Sequence, residues 1–243
     1  MADLADAAGR AVAVPLAALA RVRGAKPMHP RGVVFDARLI RTGPARPWGL
    51  PWIDAREDAD VLVRLSRGAG LPPRLPDLLG LAVRVPPPAP GGRPVDLLLS
   101  STGRGRWTRS APVLRRDAGA PYGSVMAFRT PLGPVTLAAR ADGPLPADSE
   151  GLLAAGPGRT FTLAAALERG APEAFARLVL RAPHDPPDPQ LHFDAVLHAP
   201  PGFVADGAMA RFRRPAYARA RTWQRVDPAA GPLEAPDTAP GLR

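Results

Sequence analysis

Arg213 and Tyr217 lie four residues apart in RRPAY, and His29 stands far upstream in KPMHPRG. Four residues is one helical turn, so the guanidinium and the phenol would share a helix face. A phenol ordinarily keeps its proton at neutral pH and is then a poor metal ligand. A cation one turn away favours the phenolate and lowers that pKa. Tyrosinate ligation of iron is one of the few chemistries that needs this pairing.

The elements that would position these groups follow from punctuation and periodicity. Residues 2–20 read as an amphipathic helix rather than a signal peptide, because acids come first and no basic leader precedes the apolar run. A turn follows through Lys26-Pro27-Met28-His29-Pro30. Strand-like runs then recur between Pro and Gly signals, at 32–41, 60–67, 79–86, 94–101, 123–130, 134–140, 161–168 and 175–182. Two pairs read as hairpins: 123–130 with 134–140, and 161–168 with 175–182. Eight antiparallel strands on short connections can close into a barrel and so remove their edges. After APPGF (199–203) the pattern becomes helical, with Met209, Phe212, Ala216 and Ala220 at turn spacing. The expected fold class is α+β, a closed eight-stranded antiparallel β-barrel with flanking helices. The expected organisation is a single domain over 1–225 and a disordered Pro/Ala/Gly-rich tail over 226–243.

Composition narrows the function classes. The 243 residues are 46% hydrophobic, enough for a sizeable core. With no cysteine, disulfides, iron–sulfur clusters, zinc–thiolate sites and a cysteine nucleophile are excluded. The expected compartment is the cytoplasm, and no apolar run is long enough for a membrane helix. The formal charge of +10 invites a nucleic-acid reading. The bases are almost all arginine, spread along the chain without a basic stripe or interleaved aromatics, so no nucleic-acid partner is expected. His184, His192 and His198 lack the spacing of a zinc site.

Several short segments carry a resemblance in chain order. They are MHPRG around His29, RLS (64–66), GLAVR (80–84), DLLLSST (96–102), the run Phe193, Asp194, Pro200, Pro201, Gly202, and the Arg213/Tyr217 pair. This order resembles the heme catalase superfamily, especially its short, catalase-related bacterial members. Catalases carry a distal histidine in a V-H-A-K-G-like segment, an R-F-S strand, a G-x-A-(V/L)-(K/R) strand, a D-L-x-x-N-N-T segment, an F-D-P run ending in P-P-G, and an R-x-x-x-Y heme-ligand helix. The correspondence spans 25–225 and is weakest in its middle third.

The resemblance implies an antiparallel eight-stranded barrel and a heme b cofactor. It makes Tyr217 the iron ligand, with Arg213 balancing its charge. It makes His29 the distal acid/base acting on peroxide. Ser66 would fix the imidazole tautomer. Lys26 and Arg64 would pair with the heme propionates. Ser101 falls where catalases place the distal asparagine, a departure that bears on how peroxide is positioned. ARARTWQR after Tyr217 lacks the family's D-T-H-R continuation, and 103–117 has no counterpart to its distal aromatic walls. The expected activity is weak peroxidase or catalase turnover of hydrogen or organic peroxides. The alternative is a non-enzymatic barrel that binds an apolar ligand or none.

Overall fold

Apolar side chains alternating with polar ones give strands one face for a core. The computed structural model describes residues 31–205 apart from 106, and in it these runs close on themselves. The strands are β1 (Arg31–Arg41), β2 (Asp58–Arg67), β3 (Leu79–Val85), β4 (Val95–Ser101), β5 (Tyr122–Gly123), β6 (Phe128–Thr130), β7 (Gly133–Ala141), β8 (Thr160–Leu167) and β9 (Glu173–Pro183). Their order is β5-β4-β3-β2-β1-β9-β8-β7-β6, and a further β5–β7 pairing closes the ring. Eight strands therefore form a closed antiparallel barrel, with β6 appended to β7.

Register keeps one face inside. In β1 to β4 the odd-numbered residues point inward, with Val33, Leu65, Leu81 and Leu99 aligned across successive strands. On the far wall Ala139, Leu163 and Ala176 align in the same way. Phe35, Phe128, Phe161, Phe175 and Tyr122 are fully buried and fill the core. Two short helices sit at opposite ends of β1. Helix α1 (Pro51–Asp54) buries Trp52 and Ile53, and Trp52 packs on Phe175 at 5.6 Å. Helix α2 (Ser149–Ala155) starts at Asp148, whose carboxylate accepts from the Gly151 N–H at 2.8 Å.

One expected strand needs correction: 123–130 is not continuous. Val125 has φ 59°, the left-handed region that a β-branched residue rarely enters. The Ser124 hydroxyl bridges the break, donating to the Met126 carbonyl at 2.6 Å and accepting from the Leu137 N–H at 3.2 Å. β5 and β6 are the two remnants. The expected hairpin survives as β6–β7, with Thr130 opposite Gly133. The expected helix over 2–20, the helix after 203 and the tail lie outside the described residues, save for 204 and 205.

Past β9 the chain turns back as a strap over the outer face of β1 to β4. Val34 N–H donates to the Pro187 carbonyl at 2.7 Å, and His184 N–H donates to the Val34 carbonyl at 2.9 Å. The strap ends where Val204 exchanges two main-chain hydrogen bonds with Arg129 of the β6 strand, each 2.9 Å. Phe203 packs there on Phe128 at 5.7 Å.

The core makes a prediction at alkaline pH. Tyr122 is 1% exposed and donates to the Ala118 carbonyl at 2.8 Å. Burial pushes its phenol far above the ordinary range, with Asp117 adding to the effect. The unfolded chain releases that proton near pH ~10 while the folded chain keeps it. Stability is therefore undiminished by this group below that pH and falls as pH rises above it, by up to about 1.4 kcal/mol per pH unit. Lys26 and Tyr217 are the only other side chains titrating in that range. Tyr122→Phe should cost about 1 kcal/mol at pH 7 and flatten the alkaline decline. Equal alkaline slopes for the two proteins in denaturant melts would count against this placement.

Candidate ligand face of the barrel

Three residues of the expected site are described: Arg64, Ser66 and Ser101. Lys26, His29, Arg213 and Tyr217 lie outside the described residues. Strand parity separates the three. Arg64 and Ser66 stand on the outer face of β2, whereas Ser101 shares the inward face of Leu97 and Leu99 on β4. The Ser101 hydroxyl accepts from the Leu79 N–H at 2.9 Å and donates to the Val113 carbonyl at 2.7 Å. Its neighbour Ser100, which was not singled out from the sequence, is the serine that shares a face with Ser66.

The register makes that face unusual. Gly32, Ser66, Gly80, Ser100 and Gly123 align across β1, β2, β3, β4 and β5. The next row is Val34, Arg64, Ala82 and Leu98. No side chain in the first row is larger than serine, so the sheet is flat there from Gly32 to Ser100; at its β5 end the Arg109 carbonyl covers Gly123, 2.5 Å from where a Cβ would stand. Gly32 is needed: a Cβ on it would lie 2.7 Å from both Arg64 Cζ and the Leu65 carbonyl oxygen.

The strap is tied to this face by charge. Arg64, 7% exposed, donates from Nε to Asp188 Oδ1 at 2.9 Å and from Nη2 to Asp188 Oδ2 at 3.3 Å. Gly32 N–H also donates to Asp188 Oδ2, at 3.0 Å. The guanidinium that the resemblance assigns to a propionate thus holds a carboxylate of the strap.

A second tie lies one row further along. Asp96 has no exposure. It accepts from Arg84 Nε and Nη2, both at 2.8 Å, and from the Asp194 N–H at 2.8 Å. His198 Nδ1 stands 2.9 Å from the same carboxylate, and Asp96 N–H donates to the His198 carbonyl at 2.8 Å. Arg84 also donates to the His192 carbonyl and lies 4.9 Å over the Phe193 ring. Asp194 Oδ1 in turn accepts from the Val196 and Leu197 N–H groups at 3.0 Å each. HFDAVLHAPPG is therefore a staple folded around Asp96. Among the described residues no His, Cys, Asp or Glu group is placed to hold a metal ion.

A heme needs a planar wall, cations for its propionates and an axial ligand. The Gly–Ser strip suits the first, and Arg64 beside it is a cation of the second kind. Tyr122, the one tyrosine among the described residues, cannot serve as the third: it faces the core, and burial holds its phenol protonated. The barrel interior is filled with side chains. The Gly–Ser strip and Arg64 would suit a heme on the outer face, and the described residues offer no ligand for its iron.

Among solved structures, the fold is similar to catalase A from Saccharomyces cerevisiae, with a TM-score of 0.53 and 12% identity over 81% of this chain and 60% of that one. It is also similar to a fungal catalase, with a TM-score of 0.50 and 13% identity over 82% of this chain and 58% of that one. The barrel is catalase-like. At such identity the likeness is one of fold, and the chain spans about three-fifths of the length of these catalases. No protein-family model matches the chain, and no curated protein matches it. No described helix is long and apolar enough to cross a membrane.

Removing the Asp96 carboxylate leaves Arg84 without its partner and frees the staple. Asp96→Ala should destabilise by about 3–5 kcal/mol, lowering the melting temperature by roughly 6–20 °C. The exposed Asp60, paired with Arg38 and Arg181, should cost under about 1 kcal/mol on the same change. Calorimetric melts giving similar losses for both variants would contradict the staple.

Proposed function

We propose that this chain is a heme-binding, catalase-like protein that turns over hydrogen or organic peroxides weakly. The observation that supports it most is the flat Gly32–Ser66–Gly80–Ser100 strip on the outer wall of a catalase-like barrel, with Arg64 beside it. Bound heme b would supply the iron chemistry of peroxide cleavage. Tyr217 would hold the metal as a phenolate, kept anionic by Arg213. His29 would take a proton from peroxide and return it to the leaving oxygen. Ser66, one residue along the sheet from the start of β1, would orient that imidazole. Lys26 and Arg64 would meet the propionates, with Arg64 shared between a propionate and Asp188 or released from it. Ser100 and Ser101 divide the role of a distal polar group: Ser100 lies on the proposed wall, and Ser101 braces the barrel beneath it. The proposed partner is a peroxide or small apolar substrate, with no nucleic acid or membrane, and the proposed setting is cytoplasmic. The proposed unit is one domain over 1–225.

The ties within the chain also favour a second function. Arg64 and Ser101 are both engaged by this chain's own groups, which suits a barrel that keeps the architecture and binds an apolar ligand or none. Variants of the full chain separate the two readings. Tyr217→Phe should abolish a tyrosinate-type heme spectrum. His29→Ala should keep the heme and lose peroxide turnover by about 10²–10⁴-fold. A heme spectrum indifferent to Tyr217→Phe would remove the ligand assignment. Unchanged turnover in His29→Ala would remove the distal one.

A further inference from the structure

The loop between β4 and β5 holds a tryptophan among cations. Trp107 is 68% exposed, more than any other large apolar side chain among the described residues. Main-chain bonds fix its loop: Gly103 N–H donates to the Thr108 carbonyl at 3.0 Å, and Arg109 N–H to the Gly105 carbonyl at 2.9 Å. The β8–β9 turn meets this loop. Arg169 Cζ lies 4.5 Å over the Trp107 ring. Arg109 reaches across to the carbonyls of Gly170, at 2.5 Å, and Glu168, at 3.1 Å. Loop and turn thus form one surface carrying Trp107, Arg109 and the exposed Arg104 and Arg169.

The charges of that surface are not balanced in place. Arg38, Arg64 and Arg84 each meet a carboxylate. Among the described residues none is ion-paired with Arg104, Arg109 or Arg169. The adjoining acid, Glu168, lies against Gly133. Exposed tryptophan beside arginine is the composition of an interaction site, and the free cations call for an acidic occupant.

The chain carries such an occupant. Residues 226–243, outside the described residues, hold Asp227, Glu234 and Asp237 against one base, Arg243, although the whole chain has a formal charge of +10. Four prolines and two leucines in the same stretch supply the apolar contacts that aromatic surfaces take. The described chain also ends close by. Val204 is bonded to Arg129, Arg129 stands opposite Pro134, and the Pro134 carbonyl accepts from the Glu168 N–H at 2.6 Å. The intervening residues 206–225 span at most about 70 Å, and such linkage favours docking within one chain over docking between chains.

We propose that the acidic segment 226–243 docks on the Trp107 surface of its own chain, its carboxylates meeting Arg104 and Arg169 and its apolar residues the indole. The loop borders the β5 end of the Gly–Ser row, but the docking needs no heme and is measured without it.

The test is paramagnetic broadening in the full chain. The sequence has no cysteine, so Thr238→Cys gives a single attachment point for a nitroxide. The label should erase the Trp107 indole N–H resonance, identified by its loss in Trp107→Phe. Arg104→Glu combined with Arg169→Glu, both at exposed positions, should return the peak. So should 1 M salt, where charges are screened beyond about 3 Å. A Trp107 peak untouched by the label, or broadening indifferent to charge reversal, would overturn the proposal. Equal broadening when the label sits on a separate, isotope-free copy of the chain would assign the surface to a second copy and overturn it as well.

Discussion

A carboxylate sealed from water between two strands organises the outer surface of this barrel. Asp96 sits in the apolar run VDLLLSS and has no exposure. Such a charge is tolerable only when paired and fully hydrogen-bonded. Arg84 meets it from β3 with two bonds, and the strap supplies the Asp194 amide and the His198 ring. Without the strap the carboxylate would lack half its partners. Without the carboxylate the strap would have nothing to fold around. Arg64 and Asp188 repeat the arrangement nearer β1. The strap is thereby fixed along the Arg64 and Arg84 rows, and the Gly–Ser row lies one step beyond Arg64.

That step links packing to function. The interior face carries phenylalanine, leucine and valine and is filled, so a large planar ligand cannot enter the barrel. One row of the outer face carries only glycine and serine where β1 to β5 run side by side. Small residues cost a strand stability, since they pack little and gain less from burial. Their alignment in one row is compensated by a core supplied wholly from the other face. Closure through the two-residue β5 strand leaves no free edge at that side of the strip.

Much of the barrel was legible because alternation is local. Seven of the eight expected strand runs correspond to single strands, with ends shifted by at most two residues. The exception, 123–130, is divided by a left-handed valine whose conformation depends on Ser124 bonds to β7, a contact across the sheet that periodicity does not carry. Helix α2 was missed because seven residues are too few to display a helical period. Ser100 could have been found: pairing Ser66 with Gly80 and Gly80 with Ser100 follows once the strands are aligned, and parity then separates it from Ser101. The ties of the strap could not. Arg64 meets Asp188 across 124 residues and Asp96 meets His198 across 102, separations over which a single sequence carries no pairing signal.

The central proposal is one of place: a heme would lie against the outer wall of β1 to β4. Amide hydrogen exchange of the full chain with and without ferric heme tests this most directly. The account predicts new protection in peptides covering Gly80–Ala82 and Leu98–Ser100, with the interior-braced segment around Val113 unchanged. Heme bound with protection confined elsewhere, or no change anywhere at saturating heme, would contradict it.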